Sequence, residues 1–142
     1  MKVTRDARSR EGPSGAHTGS DTTGPTKFAA SALAVGRDSD RTGVRFERVS
    51  GPEPPAGWPR EIDPEGAVPG SVQLPADGSP IVLGVDGPTT GGYAKPAVVI
   101  RADLGLVARL APSMRARFRF VSREEAAAAA ALLAARLEEL RA

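Results

Sequence analysis

The chain has 142 residues, a formal net charge of +2, 16 Gly, 13 Pro, no Cys and only 4% aromatic residues. That bounds it to one domain plus tails, with a core of Val, Leu, Ile and Ala rather than large rings. The composition excludes disulfides, thiolate zinc sites and cysteine nucleophiles. No apolar stretch approaches the roughly 20 residues that span a bilayer, and no apolar run follows the first basic residues. The expectation is therefore a cytoplasmic protein without membrane or secretory segments. So small a net charge also argues against nucleic acid as a partner.

Met1 to Lys27 is rich in Gly, Pro, Ser, Thr and charge and poor in apolar residues, so it reads as a disordered segment followed by one domain over 28–142. Ala32 to Gly36 reads as a short strand. Arg37 to Gly43 is a polar turn, and Val44 and Phe46 alternate with Arg45 and Glu47 as a half-buried strand. Four prolines between Gly51 and Pro59 exclude helix and central strand, with Trp58 placed to pin this loop to the body. Gly70–Leu74 and Ile81–Val85 flank an Asp77-Gly78 turn and form a hairpin-like pair. Tyr93 to Ile100 is a further strand, in which Pro96 demands an edge or a bulge. Asp103 is expected to cap a short helix bearing Leu104, Val107 and Leu110, closed by Pro112. Met114, Ala116, Phe118 and Phe120 alternate with Arg115, Arg117 and Arg119, a strand with one apolar and one guanidinium face. Ser122 and Glu125 form a capping box for a terminal helix whose Ala126, Ala130, Leu133, Leu137 and Leu140 make one stripe, read as core packing, the simpler account, against a partner-binding helix.

The segment Thr89-Thr90-Gly91-Gly92-Tyr93 is the most distinctive. Adjacent glycines permit positive φ, so that successive N–H groups turn inward as an anion nest, with two hydroxyls and a phenol as directional donors. The alternative is a tight turn that needs Gly for geometry alone, which composition by itself favours. It is not a phosphate-binding P-loop, because no Gly-Lys-Ser/Thr follows. Asp86 and Lys95 flank the loop and are candidates for proton handling or for holding an anionic substrate, against a turn-capping Asp and a solvated Lys. Arg41, in the mixed-charge turn with Arg37, Asp38 and Asp40, offers a guanidinium fork for a carboxylate. The arginine face of the strand from Met114 to Phe120 carries no interleaved aromatic to stack bases, so it reads as solvated. His17 is the only histidine and falls in the N-terminal segment, which argues against a Ser-His-Asp triad and against a metal site; no catalytic residue is assigned.

Four stretches go further than composition. Arg37-Asp38-Ser39-Asp40-Arg41-Thr42-Gly43-Val44-Arg45-Phe46 resembles the "SPDSDRTGVRL" turn of one family. Gly70 to Gly78 with Pro80 to Leu83, and then Asp86 to Tyr93, resemble its "GSVQLPPDGQPIVL" and "TTGGYP" segments. Val121 to Ala126 is similar to its ending, "RFRPVSLEEA". The chain resembles, from about Phe28 to Ala126, the KipA-like family: allophanate hydrolase subunit 2, the C subunit of 5-oxoprolinase and biotin-dependent carboxyltransferase domains. The resemblance implies a mainly β fold with short helices, part of a cyclophilin-like β-barrel, with a C-terminal α-helix. It implies work with a KipI-like partner (the B subunit of 5-oxoprolinase), and with a third subunit in some members, in ATP-dependent opening of 5-oxoproline. Fused relatives move a carboxyl group from carboxybiotin to urea, so ATP in a complex or carboxybiotin is the implied cofactor, with none assigned to this chain itself. The first half of the family has no counterpart here, and Ala94 and Gly105 stand where Pro is usual. The expectation is thus a truncated subunit, inactive alone, whose substrate-binding residues are Thr89, Thr90, Gly91, Gly92, Tyr93, Asp86, Lys95 and Arg41. The alternative is a non-catalytic regulatory module acting through the partner.

Overall fold

The computed structural model describes residues 1–5, 31–51, 59 and 61–141. The chain folds around an antiparallel sheet of seven strands in the order β1-β9-β2-β3-β6-β5-β8. These are β1 (Lys2–Arg5), β2 (Ala32–Val35), β3 (Gly43–Ser50), β5 (Ser71–Leu74), β6 (Ile81–Leu83), β8 (Ala94–Val98) and β9 (Arg115–Arg119). A separate ribbon pairs β4 (Glu65–Gly66) with β7 (Thr90–Gly91). The helices are α1 (Leu104–Val107), entered through a 3-10 turn at Arg101–Asp103, and α2 (Arg123–Glu139).

The period-two patterning explains most of this sheet. In β9, Ala116 and Phe118 are buried while Arg115, Arg117 and Arg119 face outward. In β3, Val44 and Phe46 turn inward, and the Phe46 ring meets Phe118 edge to face at 5.3 Å between centroids. Leu33, Val35, Val72, Val82, Val99, Val107 and Leu110 complete the core with Met1 and Val3. β8 lies at the edge of the sheet, where Pro96 is tolerated. Its pairing with β5 also slips between Val72 and Leu74, so that Lys95 and Pro96 together stand opposite the single residue Gln73, a β-bulge.

The sheet curls until its ends approach one another, giving the cyclophilin-like half-barrel that the resemblance implies. The Met1 ammonium donates to the Val98 carbonyl at 2.8 Å, and the Ile100 amide donates to the Met1 carbonyl at 2.9 Å. Burial pushes this amine below its ordinary range, and the Asp103 carboxylate partly offsets that.

Several expectations are corrected. The first five residues are not disordered: β1 is seated in the sheet because Met1 and Val3 supply core side chains. Residues 6–27, including His17, and the loop around Trp58 lie outside the described residues. Asp103 does not cap α1 with its side chain; its carboxylate accepts from the Val3 amide at 2.8 Å, tying β1 to the helix start. At α2, Ser122 Oγ accepts from the Glu125 amide at 3.1 Å, but the Glu125 carboxylate turns to Arg119 instead of closing the capping box. The stripe of α2 is not core: Ala126, Ala130 and Leu133 are only half-buried, and Leu137 and Leu140 are exposed. Its alanine run and cap hold the helix by local propensity, with contacts to the body made at the 3-10 turn.

Candidate functional site

The polar face of β5 positions the site. All four of its residues are buried, so both faces of the strand are covered. Val72 packs into the core, whereas Ser71 and Gln73 point to the other face. The β4–β7 ribbon covers that face. Ser71 Oγ accepts from the Val68 amide at 3.0 Å, the Ala67 amide donates to the Thr89 carbonyl at 2.8 Å, and the Ile62 amide donates to the Gly92 carbonyl at 2.7 Å.

The double glycine serves this covering, not an anion nest. Neither Gly91 nor Gly92 has positive φ, because Gly91 is extended and paired with Glu65. What Gly91 lacks is a side chain in the way: a Cβ there would stand 2.5 Å from Gln73 Nε2. Gly70, in contrast, does need its φ of +91°, at the turn that enters β5.

Lys95 is not solvated. Its side chain is 7% exposed, and its ammonium donates to the Gly91 carbonyl at 2.9 Å, the Tyr93 carbonyl at 3.2 Å and the Glu65 carboxylate at 3.1 Å. Three donors meet three acceptors, so Lys95 staples the Thr90–Tyr93 loop to β4 and has no donor left for a substrate. Asp86 pairs instead with Arg41, whose Nε lies 2.7 Å from Asp86 Oδ2, a pair open to solvent and worth little. Asp40 caps its own turn. Its Oδ1 accepts from the Thr42 amide at 2.9 Å, the Thr42 hydroxyl at 2.5 Å and the Gly43 amide at 3.3 Å, and these bonds, the hydroxyl's first, hold its carboxyl below the usual range.

Two cavities open beside these elements. One, of about 490 Å³, has Tyr93 and Pro88 from the glycine loop on one side and Gln73 among its lining residues, with Asp38, Thr42, Arg45, Glu47, Asp77 and Ser79 around them. The other, of about 320 Å³, is largely apolar, lined by Val44, Leu83, Leu104, Val107 and Leu110, with Asp40 and Arg41 among its polar residues. Tyr93 and Arg41 therefore open onto different cavities. Asp86, Thr89, Thr90, Gly91, Gly92 and Lys95 line neither, and Thr89 and Thr90 are exposed on the ribbon.

Gln73 is the residue that sequence reasoning missed. It is 5% exposed, it lines the larger cavity, and its side-chain amide has no hydrogen-bond partner among the described residues. Alternation with Val72 and Leu74 makes it read as a solvent-facing residue, and only the ribbon laid over β5 reverses that. No three of His, Cys, Asp and Glu gather as a metal site among the described residues. No helix among them is long and apolar enough to cross a membrane.

Comparison with known proteins gives a consistent picture. The model of the family "Carboxyltransferase domain, subdomain A and B" matches residues 3–120. The chain is 43% identical over 90 residues to the C subunit of 5-oxoprolinase from Haemophilus influenzae and 43% identical over 67 residues to that from Escherichia coli. Those matches cover 63% and 47% of this chain but only 28% and 22% of the relatives. The crystal structure of Kluyveromyces lactis urea carboxylase superposes with a TM-score of 0.62 at 27% identity, over 71% of this chain and 9% of that one.

Proposed function

Since the chain belongs to the carboxyltransferase domain family, subdomains A and B, we propose that it is a substrate-binding piece of an amide-processing assembly of the 5-oxoprolinase or urea carboxylase kind. The observation that carries this reading is the cavity of about 490 Å³ lined by Tyr93 and by the buried Gln73, whose side-chain amide has no hydrogen-bond partner among the described residues. A concave site with few convergent polar groups is the usual form of a small-molecule pocket. Tyr93 is the substrate contact from the glycine loop. Thr89, Thr90, Gly91, Gly92 and Lys95 build the ribbon that shapes the pocket.

The chain spans 28% and 22% of the length of the curated relatives, and catalysis is assigned to an assembly and not to this chain by itself. The partner is a KipI-like protein, with ATP used in the complex, in the cytoplasm. The test is ATP-dependent opening of 5-oxoproline by the purified chain, with and without a KipI-like partner. Turnover is expected only in the assembly; turnover by the chain alone, or none in any combination that is active with a full-length relative in its place, overturns the reading.

A second reading, a non-catalytic module acting through the same partner, draws on α2. A helix with no fully buried residue offers Leu137, and Leu140 at its C-cap, as an exposed apolar face for another protein.

A further inference from the structure

β9 alternates buried Ala116 and Phe118 with exposed Arg115, Arg117 and Arg119. Successive outward positions on a strand lie about 6.8 Å apart, so the three arginines form an evenly spaced row. β1 adds to it, because Lys2 stands directly opposite Arg119 on the same face. Like charges in directly opposed positions destabilise a sheet, and here the fold answers with Glu125. Its carboxylate turns away from the Ser122 amide, which a closed capping box would satisfy, and pairs with Arg119. That hydrogen bond first, with the charges of Arg119 and Lys2 behind it, holds the Glu125 carboxyl below its usual range. One carboxylate thus serves two cations, while Arg115, at the other end of the row, has no ion-pair partner among the described residues.

We propose that this face docks an acidic, extended segment of a partner protein, and that Glu125 is the internal stand-in for one of that segment's carboxylates. The inference stands apart from the reading of the cavity. An extended chain repeats its side chains on one face at the same spacing of about 6.8 Å, so acidic residues at alternate positions meet Arg115, Arg117 and Arg119 in register. A guanidinium takes a carboxylate through paired N–H donors, and Glu125 already makes that contact with both terminal nitrogens of Arg119. An incoming carboxylate displaces Glu125, which can then reach back to the Ser122 amide and close the box at the start of α2. Docking is coupled in this way to the firmness of the helix N-terminus. A nucleic acid strand is the poorer occupant. The outward positions of β9 hold no aromatic on which bases could stack, and the net charge of the chain is only +2.

The experiment measures binding of fluorescein-labelled probes to the whole chain by anisotropy, at about 50 mM salt so that screening is weak. The probes are an octapeptide of alternating Glu and Thr, its counterpart with Gln in place of Glu, and a thymidine octanucleotide. Saturable binding of the acidic peptide below about 1 mM is expected, with none of the Gln peptide. Arg115→Glu with Arg117→Glu should weaken it at least about tenfold. Glu125→Gln should tighten it about two- to fivefold, because the internal competitor is gone; an ion pair that serves stability alone would give no such gain. In the unmodified chain, the Ser122 amide should exchange more slowly once the acidic peptide is bound. The proposal is overturned by the absence of saturable binding, by equal binding of the Gln peptide, by an affinity untouched in the double reversal, by no tightening in E125Q, or by unchanged Ser122 exchange. Tighter binding of the octanucleotide than of the acidic peptide overturns it as well, in favour of nucleic acid. The probe series on the unmodified chain decides the matter even where the double reversal fails to fold.

Discussion

Replacing Gly91 by alanine tests the covering of β5 most directly. The added Cβ would lie 2.5 Å from Gln73 Nε2, about 1 Å inside an ordinary carbon–nitrogen contact. Gln73 is 5% exposed, so its amide can give way only toward the cavity it lines, and β7 cannot retreat without breaking its pairing with Glu65 and the Gly91 carbonyl's bond to Lys95. Overpacking of this kind costs about 1–3 kcal/mol. Because Gly91 has no positive φ, alanine also narrows the unfolded ensemble, returning about 0.4–1 kcal/mol. The net expectation is a loss of roughly 0.5–2 kcal/mol in urea unfolding. Gly66, in the partner strand of the same ribbon, is the control: nothing lies within 4 Å of its Cβ position, so Gly66→Ala should be neutral or slightly stabilising. Adding Gln73→Ala to Gly91→Ala should recover part of the loss, with a coupling of about 1 kcal/mol. Equal effects at Gly91 and Gly66, or no coupling to Gln73, would refute the contact and with it the account of why this loop needs glycine.

Gln73→Met should raise stability by about 1 kcal/mol in the same assay, since it removes a buried unpaired amide at nearly constant volume; a clear loss would mean that the amide is satisfied in the fold. Lys95→Met should cost about 1–3 kcal/mol and speed amide exchange in 89–93, because two loop carbonyls lose their donor while the half-exposed Glu65 returns to water; unchanged exchange would argue against the staple. Asp40 has a depressed pKa when folded, so its contribution is present above the unfolded aspartate value and is lost as pH falls through the folded one, from about pH 4 downward. Asp40→Asn should flatten that part of the acid melting profile, and an unaltered profile would contradict the turn-capping role. Leu137→Ser with Leu140→Ser should leave the thermal midpoint of the isolated chain unchanged while weakening capture of a KipI-like partner; a large drop in midpoint would show that this end of α2 is packed after all.

The strands were legible wherever alternation met a single buried face, as at Val44 and Phe46 in β3 or Ala116 and Phe118 in β9. Pro96 gave the position of β8 at the edge, and its bulge, from the missing N–H alone. What failed depended on contacts between distant residues. β1 is too short, and too close to a polar stretch, to read as a strand until β9 is there to receive it. Lys95 is spaced from the loop like a solvated flank and becomes buried only through Glu65, thirty positions away. Gln73 has the alternation of an exposed residue, and its burial comes from a ribbon whose strands are two residues each. The stripe of α2 has the spacing of a packed helix, and spacing carries no information on whether a partner surface is present. Motif resemblance singled out Thr89 to Tyr93, of which Tyr93 lines the larger cavity while Thr90 and Gly91 form a strand of the ribbon beside it.

The strand order has a consequence for biogenesis. β9 lies between β1 and β2 and pairs with both, Val3 with Phe118 and Leu33 with Ala116. On a ribosome adding about 5–20 residues per second, β1 therefore waits roughly 6–25 s for the strand that receives it. During that interval one side of β2 is open as well, and Leu33 and Val35 have no Phe118 to pack beside. Contacts of such long sequence separation slow folding, and unpaired strand edges invite association with other chains. The yield of folded protein should thus respond to synthesis rate and chaperone supply more sharply than its equilibrium stability would indicate, and a pulse-labelled nascent chain halted before Arg115 should be degraded faster than one released at full length.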